Sequence, residues 1–202
     1  MGKIILLRHG ESQWNLENRF TGWVDIPLTD KGRAEALHAG ELIKDIHLDW
    51  GFTSVLIRAI ESLEIALRGA GQTNVPFESV KALNERKYGD LQGLNKDETA
   101  QKFGAEQVML WRRSYDVRPP GGESLHDTAR RTLPYFESNI RPRAMKGNNL
   151  IVCAHGNSLR SIVMVLDKLS KEQVVALNLA TGVPIVYEVD KNGEVTNKTI
   201  IM

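Results

Sequence analysis

The stretch IILLRHG at residues 4–10 is a short apolar run that ends in an arginine, a histidine and a glycine. A second run, LIVCAHG at residues 150–156, also ends in a histidine and a glycine. Such short aliphatic runs are typical of strands that are covered on both faces, as in a parallel sheet. Open α/β folds bind ligands outside the carboxyl ends of these strands. We therefore expect His9 and His155 to lie at the ligand-binding edge of one sheet.

Helical patterns lie between the predicted strands. Apolar residues recur at steps of three and four after Thr29, between Leu125 and Ile140, and after Asn157, which predicts three amphipathic helices. Thr29 can cap the first of these helices. Pro134 should kink or interrupt the second, because proline lacks the N–H that a helix interior needs.

Two further apolar runs, at residues 52–56 and 185–189, are candidate strands. Strands that alternate with helices favour an α/β fold with a mostly parallel sheet. The dipeptide NG at residues 192–193 predicts a hairpin turn and hence an antiparallel edge strand. Residues 85–122 break the alternation, and we interpret them as a cap inserted into a single domain that spans residues 1–202.

The composition indicates which classes of binding partner this protein does not have. The 26 lysines and arginines nearly balance the 25 aspartates and glutamates, so no overall field attracts nucleic acid or an anionic membrane. The first apolar stretch is too short for a signal peptide or a membrane span. Cys153 is the only cysteine, which excludes an internal disulfide. We expect a cytoplasmic protein that binds neither nucleic acid nor membrane.

His9 and its neighbours have the chemistry that phosphoryl transfer requires. A neutral imidazole is a competent nucleophile near pH 7, and the forked donors of Arg8 match phosphate oxygens. Arg58 should reach the same edge of the sheet. Two structural interpretations stay open at this point: Arg8 and His9 form an ordinary surface turn, and Arg58 pairs with a glutamate of its own helix.

Four blocks of the sequence resemble the signature blocks of the cofactor-dependent phosphoglycerate mutases, a family of the histidine phosphatase superfamily. The blocks are LRHGES at residues 7–12, SVLIRA at 54–59, ERKYG at 85–89 and AHGN at 154–157, in the order in which the family has them. The resemblance spans nearly the whole chain. It implies a three-layer α/β/α fold with an inserted cap.

The resemblance also implies the roles of individual residues. His9 would carry the phosphoryl group, and Glu85 would be the general acid and base. Arg8, Arg58 and a cationic His155 would stabilise the transferred group. Without the resemblance, Glu85 would be interpreted as half of a surface ion pair. The implied substrate-binding residues are Arg8, Gly10, Glu11, Ser12, Asn15, Thr21, Gly22, Arg58, Glu85, Arg86, Tyr88, Lys96, Arg112, Arg113, Gly156 and Asn157.

The charge of the implied ligand agrees with this set. Each phosphoryl group carries about −1.5 to −2 near neutral pH, so a bisphosphorylated glycerate with its carboxylate carries roughly −4 to −5. The cations of the implied site are Arg8, Arg58, Lys96, Arg112 and Arg113. The implied cofactor is 2,3-bisphosphoglycerate, and no metal is expected.

We therefore expect an isomerase that interconverts 3-phosphoglycerate and 2-phosphoglycerate in glycolysis and gluconeogenesis. The reaction would pass through a phosphohistidine at His9 and a 2,3-bisphosphoglycerate intermediate. A phosphomonoesterase, in which water attacks the phosphohistidine, is an alternative that would not need all the cap residues. A phosphoprotein-binding module is a second alternative, and it would not need His9, Glu85 and His155 together.

Two other chemistries are disfavoured by spacing. Cys153 and Arg160 resemble the ends of a cysteine phosphatase loop, but one residue too many separates them, so we expect Cys153 to be a core residue. A metal between His9 and His155 would lie beside two arginines, and no cluster of acidic or histidine residues at ligand spacing supports it.

Two expectations come from the wider family pattern. Family members are commonly dimers or tetramers, and from this we expect a homodimer. The sequence ends at Met202, without the lysine- and glycine-containing tail that closes over the site in longer relatives. We therefore expect some hydrolysis of the bisphosphate.

Overall fold

The apolar runs of the sequence form the centre of one six-stranded sheet, with the strand order β3-β2-β4-β1-β5-β6. The structure is a computed structural model that describes residues 1–202. Its strands are β1 Gly2–Arg8, β2 Trp50–Thr53, β3 Phe77–Ser79, β4 Asn149–Ala154, β5 Pro184–Val189 and β6 Val195–Ile200.

The pairing of the strands confirms a mostly parallel sheet. β1 pairs in parallel with β4, and β2 pairs in parallel with both β4 and β3. On the other side, β1 pairs antiparallel with β5, and β5 pairs antiparallel with β6. The predicted hairpin and its antiparallel edge strand are therefore confirmed. β5 is the strand that runs against all the others.

Two details of the sheet differ from the prediction. The run at residues 52–56 leaves the sheet after Thr53, because the next backbone N–H groups find side-chain acceptors: Val55 donates to Asn84 Oδ1 and Leu56 donates to Ser54 Oγ. The strand β3 was not predicted. Its three residues are half-buried or exposed and carry no clear apolar pattern.

The helices alternate with the strands as predicted. They are α1 Gln13–Leu16, α2 Asp30–Leu42, α3 Ile57–Gly69, α4 Lys96–Phe103, α5 Ala105–Arg113, α6 Leu125–Tyr135, α7 Arg141–Met145, α8 Gly156–Leu166 and α9 Lys171–Ala176. Thr29 is the N-cap of α2, where its side chain accepts the N–H of Gly32. None of the helices combines the length and apolar character needed to span a bilayer.

Helices cover both faces of the sheet, which gives the three layers. Alternate side chains of β1 enter two different cores: Ile4 and Leu6 pack with residues of α6 to α8, whereas Ile5 and Leu7 pack with residues of α2 and α3. A strand buried on both faces has to be apolar at every position. This requirement explains the unbroken run IILL at residues 4–7.

Pro134 interrupts the helical ladder, as predicted. The α-helix α6 ends at Tyr135 and continues as a π-helical segment, Phe136–Ile140, before α7 begins. Proline cannot donate to the carbonyl one turn earlier, and its ring crowds that carbonyl. The wider π-helical turn directly after Pro134 accommodates this missing hydrogen bond.

Residues 85–122 contain α4 and α5, which lie outside the sheet. A small core joins these helices to the loop that follows α1: Phe20 packs with Leu91, Val108 and Trp111. Within this core the rings of Phe20 and Tyr88 have centroids 5.1 Å apart. The segment therefore packs over the loops at the carboxyl end of β1.

Gly10 and Gly32 bring the loop after β1 into backbone contact with α2. A Cβ on Gly32 would lie 2.0 Å from the Glu11 carbonyl oxygen, and one on Gly10 would lie 2.0 Å from the Gly32 carbonyl oxygen. Because both obstacles are backbone atoms, we expect Gly32→Ala to lower the free energy of unfolding in urea by about 3 kcal/mol.

The control for Gly32→Ala is Gly71→Ala. Gly71 has a φ of +69°, and a Cβ on this residue would meet no atom within 4 Å, so only the left-handed backbone cost of about 1 kcal/mol applies. Equal losses of stability in the two variants would contradict the close contact between Gly10 and Gly32.

Candidate active site

The parallel pairing of β1 with β4 sets two imidazoles side by side. The N–H of His9 donates to the carbonyl of Ala154 at 3.0 Å, which extends the ladder by one residue beyond β1. His155 follows β4 directly and is the N-cap of α8. The two rings have centroids 4.9 Å apart and planes inclined at 61°. Both side chains are buried.

One ring nitrogen of His9 forms a hydrogen bond with the backbone. Its Nδ1 lies 2.7 Å from the Gly10 carbonyl oxygen, and a carbonyl only accepts, so Nδ1 carries the proton and Nε2 keeps its lone pair. Burial lowers the pKa of His9 well below its ordinary value, and the charges of Arg58 and Arg8 lower it further. His9 is therefore a neutral imidazole with a free nucleophilic nitrogen at neutral pH.

His155 is held through the opposite nitrogen. Its Nε2 lies 2.7 Å from Ser54 Oγ, and that oxygen already accepts the N–H of Leu56 at 3.2 Å. The Ser54 hydroxyl has no acceptor in the protein other than Nε2, so it donates to Nε2, and the proton of His155 lies on Nδ1. This buried Nδ1 has no partner in the protein. It is therefore a donor without a partner on a ring that lies beside His9.

The family resemblance implies a cationic His155, whereas the surroundings of the ring in the protein disfavour that form. Burial lowers its pKa well below the ordinary value, and Arg58, His9, Arg8 and Arg131 lower it further. A third positive charge beside the buried Arg58 and its neighbour Arg8 is unfavourable. His155 is accordingly a neutral N–H donor.

Arg8 and Arg58 are fixed by backbone carbonyls. Arg8 Nη1 donates to Leu179 O at 2.7 Å, and its buried Nε has no partner in the protein. Arg58 donates to the carbonyls of Val24 at 3.0 Å and Gly22 at 2.8 Å, and burial lowers the pKa of Arg58 to about 10. Neither arginine is neutralised by a salt bridge, so both charges are available to an anion.

Glu85 lines the same cavity as His9 and is a carboxylate. Its Oε1 accepts the Arg86 N–H at 2.7 Å and both the backbone N–H and the Nδ2 of Asn157, at 3.2 and 2.9 Å. Burial raises the pKa of Glu85, but these hydrogen bonds, together with Arg58 and Arg8, hold it below the ordinary value. Oε2 makes none of these bonds and is free to accept a proton.

Two side chains fix the backbone of the segment that ends at Glu85 through hydrogen bonds to its carbonyls. Arg131 on α6 donates to the carbonyls of Glu85 at 2.8 Å and Asn84 at 2.9 Å and pairs with the carboxylate of Glu123. Trp23 Nε1 also donates to the Glu85 carbonyl, at 2.6 Å. Arg131 could not be predicted as part of the site, because nothing in the local sequence shows which carbonyls its side chain contacts.

A polar cavity of about 130 Å³ opens beside His9. It is rich in cations, with seven arginines and lysines against the single carboxylate of Glu85. Its lining residues are Arg8, His9, Asn15, Arg19, Phe20, Thr21, Gly22, Arg58, Glu85, Tyr88, Lys96, Arg112, Arg113, Gly156, Asn157, Arg160 and Asn178. The arrangement fits a small ligand with several negative charges.

Most of the residues implied by the family resemblance line this cavity, but a few lie elsewhere. Gly10 packs against Gly32. The carboxylate of Glu11 binds Thr29 Oγ1 and Lys31 Nζ. These two residues therefore shape the loop after β1 and do not face the cavity.

Ser12, Arg86 and His155 also lie outside the cavity lining. Ser12 is the N-cap of α1 and is fully buried. Arg86 is fully buried too, and its Nη2 donates to Tyr88 Oη at 3.1 Å and to the Arg112 carbonyl at 2.9 Å. It ties together two cavity residues from different parts of the cap. His155 lies beside His9, and its Nε2 contacts Ser54 Oγ.

The cavity also contains residues that the sequence analysis did not place there: Arg19, Phe20, Arg160 and Asn178. A signal existed for Arg160, because it lies three residues after Asn157 on α8 and so shares a helix face with it. Asn178 follows α9, and no local pattern connects it to the site. Cys153 is a buried core residue, as predicted, and burial raises the pKa of its thiol.

Comparison with known proteins agrees with this geometry. The sequence model of the family described as "Histidine phosphatase superfamily (branch 1)" matches residues 4–199. A protein of Parvibaculum lavamentivorans named "2,3-bisphosphoglycerate-dependent phosphoglycerate mutase" is 55% identical over 201 residues, which cover 98% of this chain and 96% of the relative.

Solved structures show the same fold. The chain is similar to Bacillus stearothermophilus YhfR with a TM-score of 0.84 and 28% identity, over 96% of this chain and 94% of that one. It is also similar to the phosphoglycerate mutase of Bacillus anthracis str. Sterne with a TM-score of 0.75 and 25% identity, over 96% of this chain and 90% of that one.

The two buried imidazoles make the stability of the protein depend on pH. In the unfolded chain each histidine takes up a proton near pH 6.5, whereas the folded chain resists protonation of His9 and His155. The free energy of unfolding should therefore fall as the pH drops below about 6.5, by up to about 1.4 kcal/mol per pH unit for each histidine. Urea denaturation between about pH 7.5 and 5.5 measures this slope.

The variants His9→Asn and His155→Asn identify the source of the slope. Each should make the loss of stability toward low pH less steep, because the unfolded chain then takes up one proton fewer. His47→Asn, at an exposed histidine, is the control variant. A slope that is the same in all four proteins would be inconsistent with buried neutral imidazoles.

Proposed function

The chain belongs to the histidine phosphatase superfamily, and from this premise we propose that it is a 2,3-bisphosphoglycerate-dependent phosphoglycerate mutase. The enzyme is then an isomerase of glycolysis and gluconeogenesis that interconverts 3-phosphoglycerate and 2-phosphoglycerate. The observation that carries the proposal is the neutral His9, whose free Nε2 lies beside Arg8, Arg58 and the carboxylate of Glu85.

The cavity fits a bisphosphorylated glycerate in charge. Such a ligand carries roughly −4 to −5 near neutral pH, and the seven cations of the lining exceed the one carboxylate by six. Two buried donors next to His9, Arg8 Nε and His155 Nδ1, have no partner in the protein. Both are suited to phosphoryl oxygens. A trace of 2,3-bisphosphoglycerate supplies the phosphoryl group that first loads His9.

The first transfer uses the free nitrogen of His9. The hydroxyl of a bound monophosphate attacks the phosphorus carried on Nε2, so that an O–P bond forms and the N–P bond breaks. The hydroxyl proton passes to Glu85 Oε2, the oxygen that makes no bond to Asn157 or Arg86. The bound product is then the bisphosphate.

The second transfer reverses these roles. After the bisphosphate turns in the cavity, His9 Nε2 attacks the other phosphorus, the O–P bond breaks, and Glu85 returns its proton to the departing oxygen. A bound phosphate dianion offsets the charges of Arg58 and Arg8, which raises the pKa of Glu85 and makes this proton transfer easier.

Positioning and charge supply the rest of the catalysis. Arg8, Arg58 and the Nδ1–H of His155 stabilise the equatorial oxygens of the transferred group. On the side of the cap, the carboxylate and the second phosphate bind the residues Tyr88, Lys96, Arg112 and Arg113. These cap residues hold the bisphosphate between the two transfers.

The organisation of the chain is part of the same proposal. Residues 1–202 act as one domain, and the segment at residues 85–122 serves as the cap of its active site. A homodimer remains our prediction for the assembly. The phosphomonoesterase alternative is not favoured, because relatives more than half identical to this chain are named as mutases.

The variant His9→Ala tests the phosphohistidine. The unmodified protein should convert 3-phosphoglycerate to 2-phosphoglycerate in the presence of a chelator, faster with added 2,3-bisphosphoglycerate, and should form an acid-labile phosphoryl group. His9→Ala should lose all three signals. Release of phosphate without interconversion would point to a phosphomonoesterase instead. His38→Ala, at an exposed histidine of α2, is the control that should keep full activity.

Glu85→Gln tests the general acid and base. The glutamine amide keeps the size of the side chain but cannot take up the proton of the substrate hydroxyl. We therefore expect kcat to fall about 10²- to 10⁴-fold. KM should change far less, because the cavity keeps its cations. Glu64→Gln, at an exposed position of α3, serves as control. A kcat within a factor of about three of the unmodified enzyme would rule out proton transfer by Glu85.

A further inference from the structure

Arg160 reaches the active site from α8 without having been assigned any role there. Its Nη1 donates to Asn157 Oδ1 at 3.1 Å, and its Nε donates to the Leu177 carbonyl at 2.8 Å. Asn157 in turn donates from Nδ2 to Glu85 Oε1 at 2.9 Å. We propose that Arg160 is a positioning residue that acts through Asn157 to fix the orientation of the Glu85 carboxylate. This inference rests on the proposed function, since it assumes that Glu85 transfers the proton.

The chemistry of the three groups makes this chain of hydrogen bonds directional. A guanidinium only donates, so the oxygen of the Asn157 amide has to face Arg160. The NH₂ of the same amide then faces Glu85. A flipped amide would set its oxygen against the carboxylate and its NH₂ against the guanidinium, and both contacts would be repulsive. Arg160 therefore holds the amide in the one orientation that donates to Glu85.

The consequence for Glu85 is that its two oxygens differ. Oε1 receives the Nδ2 of Asn157 in addition to two backbone N–H groups, whereas Oε2 receives none of them. An oxygen with three donors is a poor proton acceptor, which leaves Oε2 to take the proton of the substrate. Arg160 thus increases the difference between the two oxygens that the backbone N–H groups of Arg86 and Asn157 already create, although it does not touch Oε2.

Arg160 can hold this position because it is anchored from a second element. Leu177 lies directly after α9, so its carbonyl fixes the guanidinium independently of α8. The third nitrogen, Nη2, has no protein partner, and the side chain lines the cavity. A phosphate or carboxylate of the ligand at this end of the cavity would hold the same guanidinium from a third side.

Charge alone also connects Arg160 to Glu85, and the test has to separate the two effects. The charged and titratable groups that act on Glu85 come from the strand β1, from the helices α3, α4 and α8, and from the loop that carries it. They are Arg8, Arg58, Lys96, Arg160 and Tyr88. In addition, Arg131 on α6 donates to the backbone carbonyl of Glu85, and His9 lines the same cavity. Removal of any one of these cations raises the pKa of Glu85, whether or not Asn157 is involved.

A double-mutant cycle separates orientation from charge. The full chain is compared with Arg160→Met, Asn157→Ala and the double variant, and the pKa of Glu85 is measured by carbon NMR of labelled glutamate, with Glu85→Gln as the assignment. Arg160→Met should raise this pKa by about half a unit to one unit. In the Asn157→Ala background the same substitution should raise it by less than half as much, because the contact through the amide is already lost.

The pH dependence of kcat/KM should change in the same direction as the pKa of Glu85. The acid limb of kcat/KM should move to higher pH in Arg160→Met, and kcat should fall by about tenfold or more while KM changes less. Arg130→Met removes an exposed arginine of α6 and should leave both readouts unchanged. A shift that is as large with Asn157→Ala as without it would mean that Arg160 acts by charge only, and would overturn the proposal. No shift at all would overturn it too.

Two safeguards keep the test decisive. If Arg160→Met does not fold, Arg160→Lys takes its place in the cycle, since one ammonium cannot serve both the Asn157 amide and the Leu177 carbonyl in the same geometry. The carboxyl titration does not depend on turnover. An inactive but folded wild-type chain would therefore refute the proposed function, while the NMR cycle would still decide the role of Arg160.

Discussion

The parallel ladder between β1 and β4 is the constraint on which the site depends. Arg8 pairs with Ala154 in register, and one further hydrogen bond joins the His9 N–H to the Ala154 carbonyl. A slip of one residue would turn His9 toward the opposite face of the sheet, since side chains alternate along a strand. The register that buries Ile4 to Leu7 on both faces is therefore the same register that sets His9 beside His155.

The charges around these strands act on acids and bases in opposite directions. Arg8 and Arg58 disfavour protonation of both imidazoles and favour the ionised form of Glu85. One pair of guanidinium groups thus adds to burial in keeping the nucleophile neutral, and adds to the hydrogen bonds of Arg86 and Asn157 in keeping the base charged. The arginines can do so because carbonyl oxygens anchor them, and no carboxylate neutralises them.

Much of the fold could be predicted from local patterns. The runs that became β1, β4 and β5, the cap at Thr29 and the interruption at Pro134 all follow from neighbours within a few residues. The end of β2 could not be predicted, because Asn84, far along the chain, provides the acceptor that draws Val55 out of the sheet. Non-local partners of this kind leave no mark on local sequence.

The residues of the site also fall into two groups: those that local sequence identifies and those that depend on distant partners. Arg8 and His9 could be identified from their place after a strand, whereas the directions of side chains such as Glu11 and Arg86 depend on partners elsewhere in the chain. The resemblance to a family assigned residue types to the site but not their contacts. For this reason Glu11 and Arg86 were expected at the substrate and lie instead in the surrounding scaffold, while Arg131 and Asn178 were overlooked.

The order of strands in the sheet has a consequence for how the protein is made. Of the six strands, β1 is synthesised first, but it lies between β4 and β5 in the sheet. Its residue Lys3 pairs with Asn149 of β4 and with Glu188 of β5, which are both synthesised much later. A ribosome therefore releases most of the chain before the apolar first strand can find either neighbour, and such distant pairings form slowly. During translation, the apolar side chains of this strand therefore stay without their partners in the sheet, which favours aggregation of the incomplete chain.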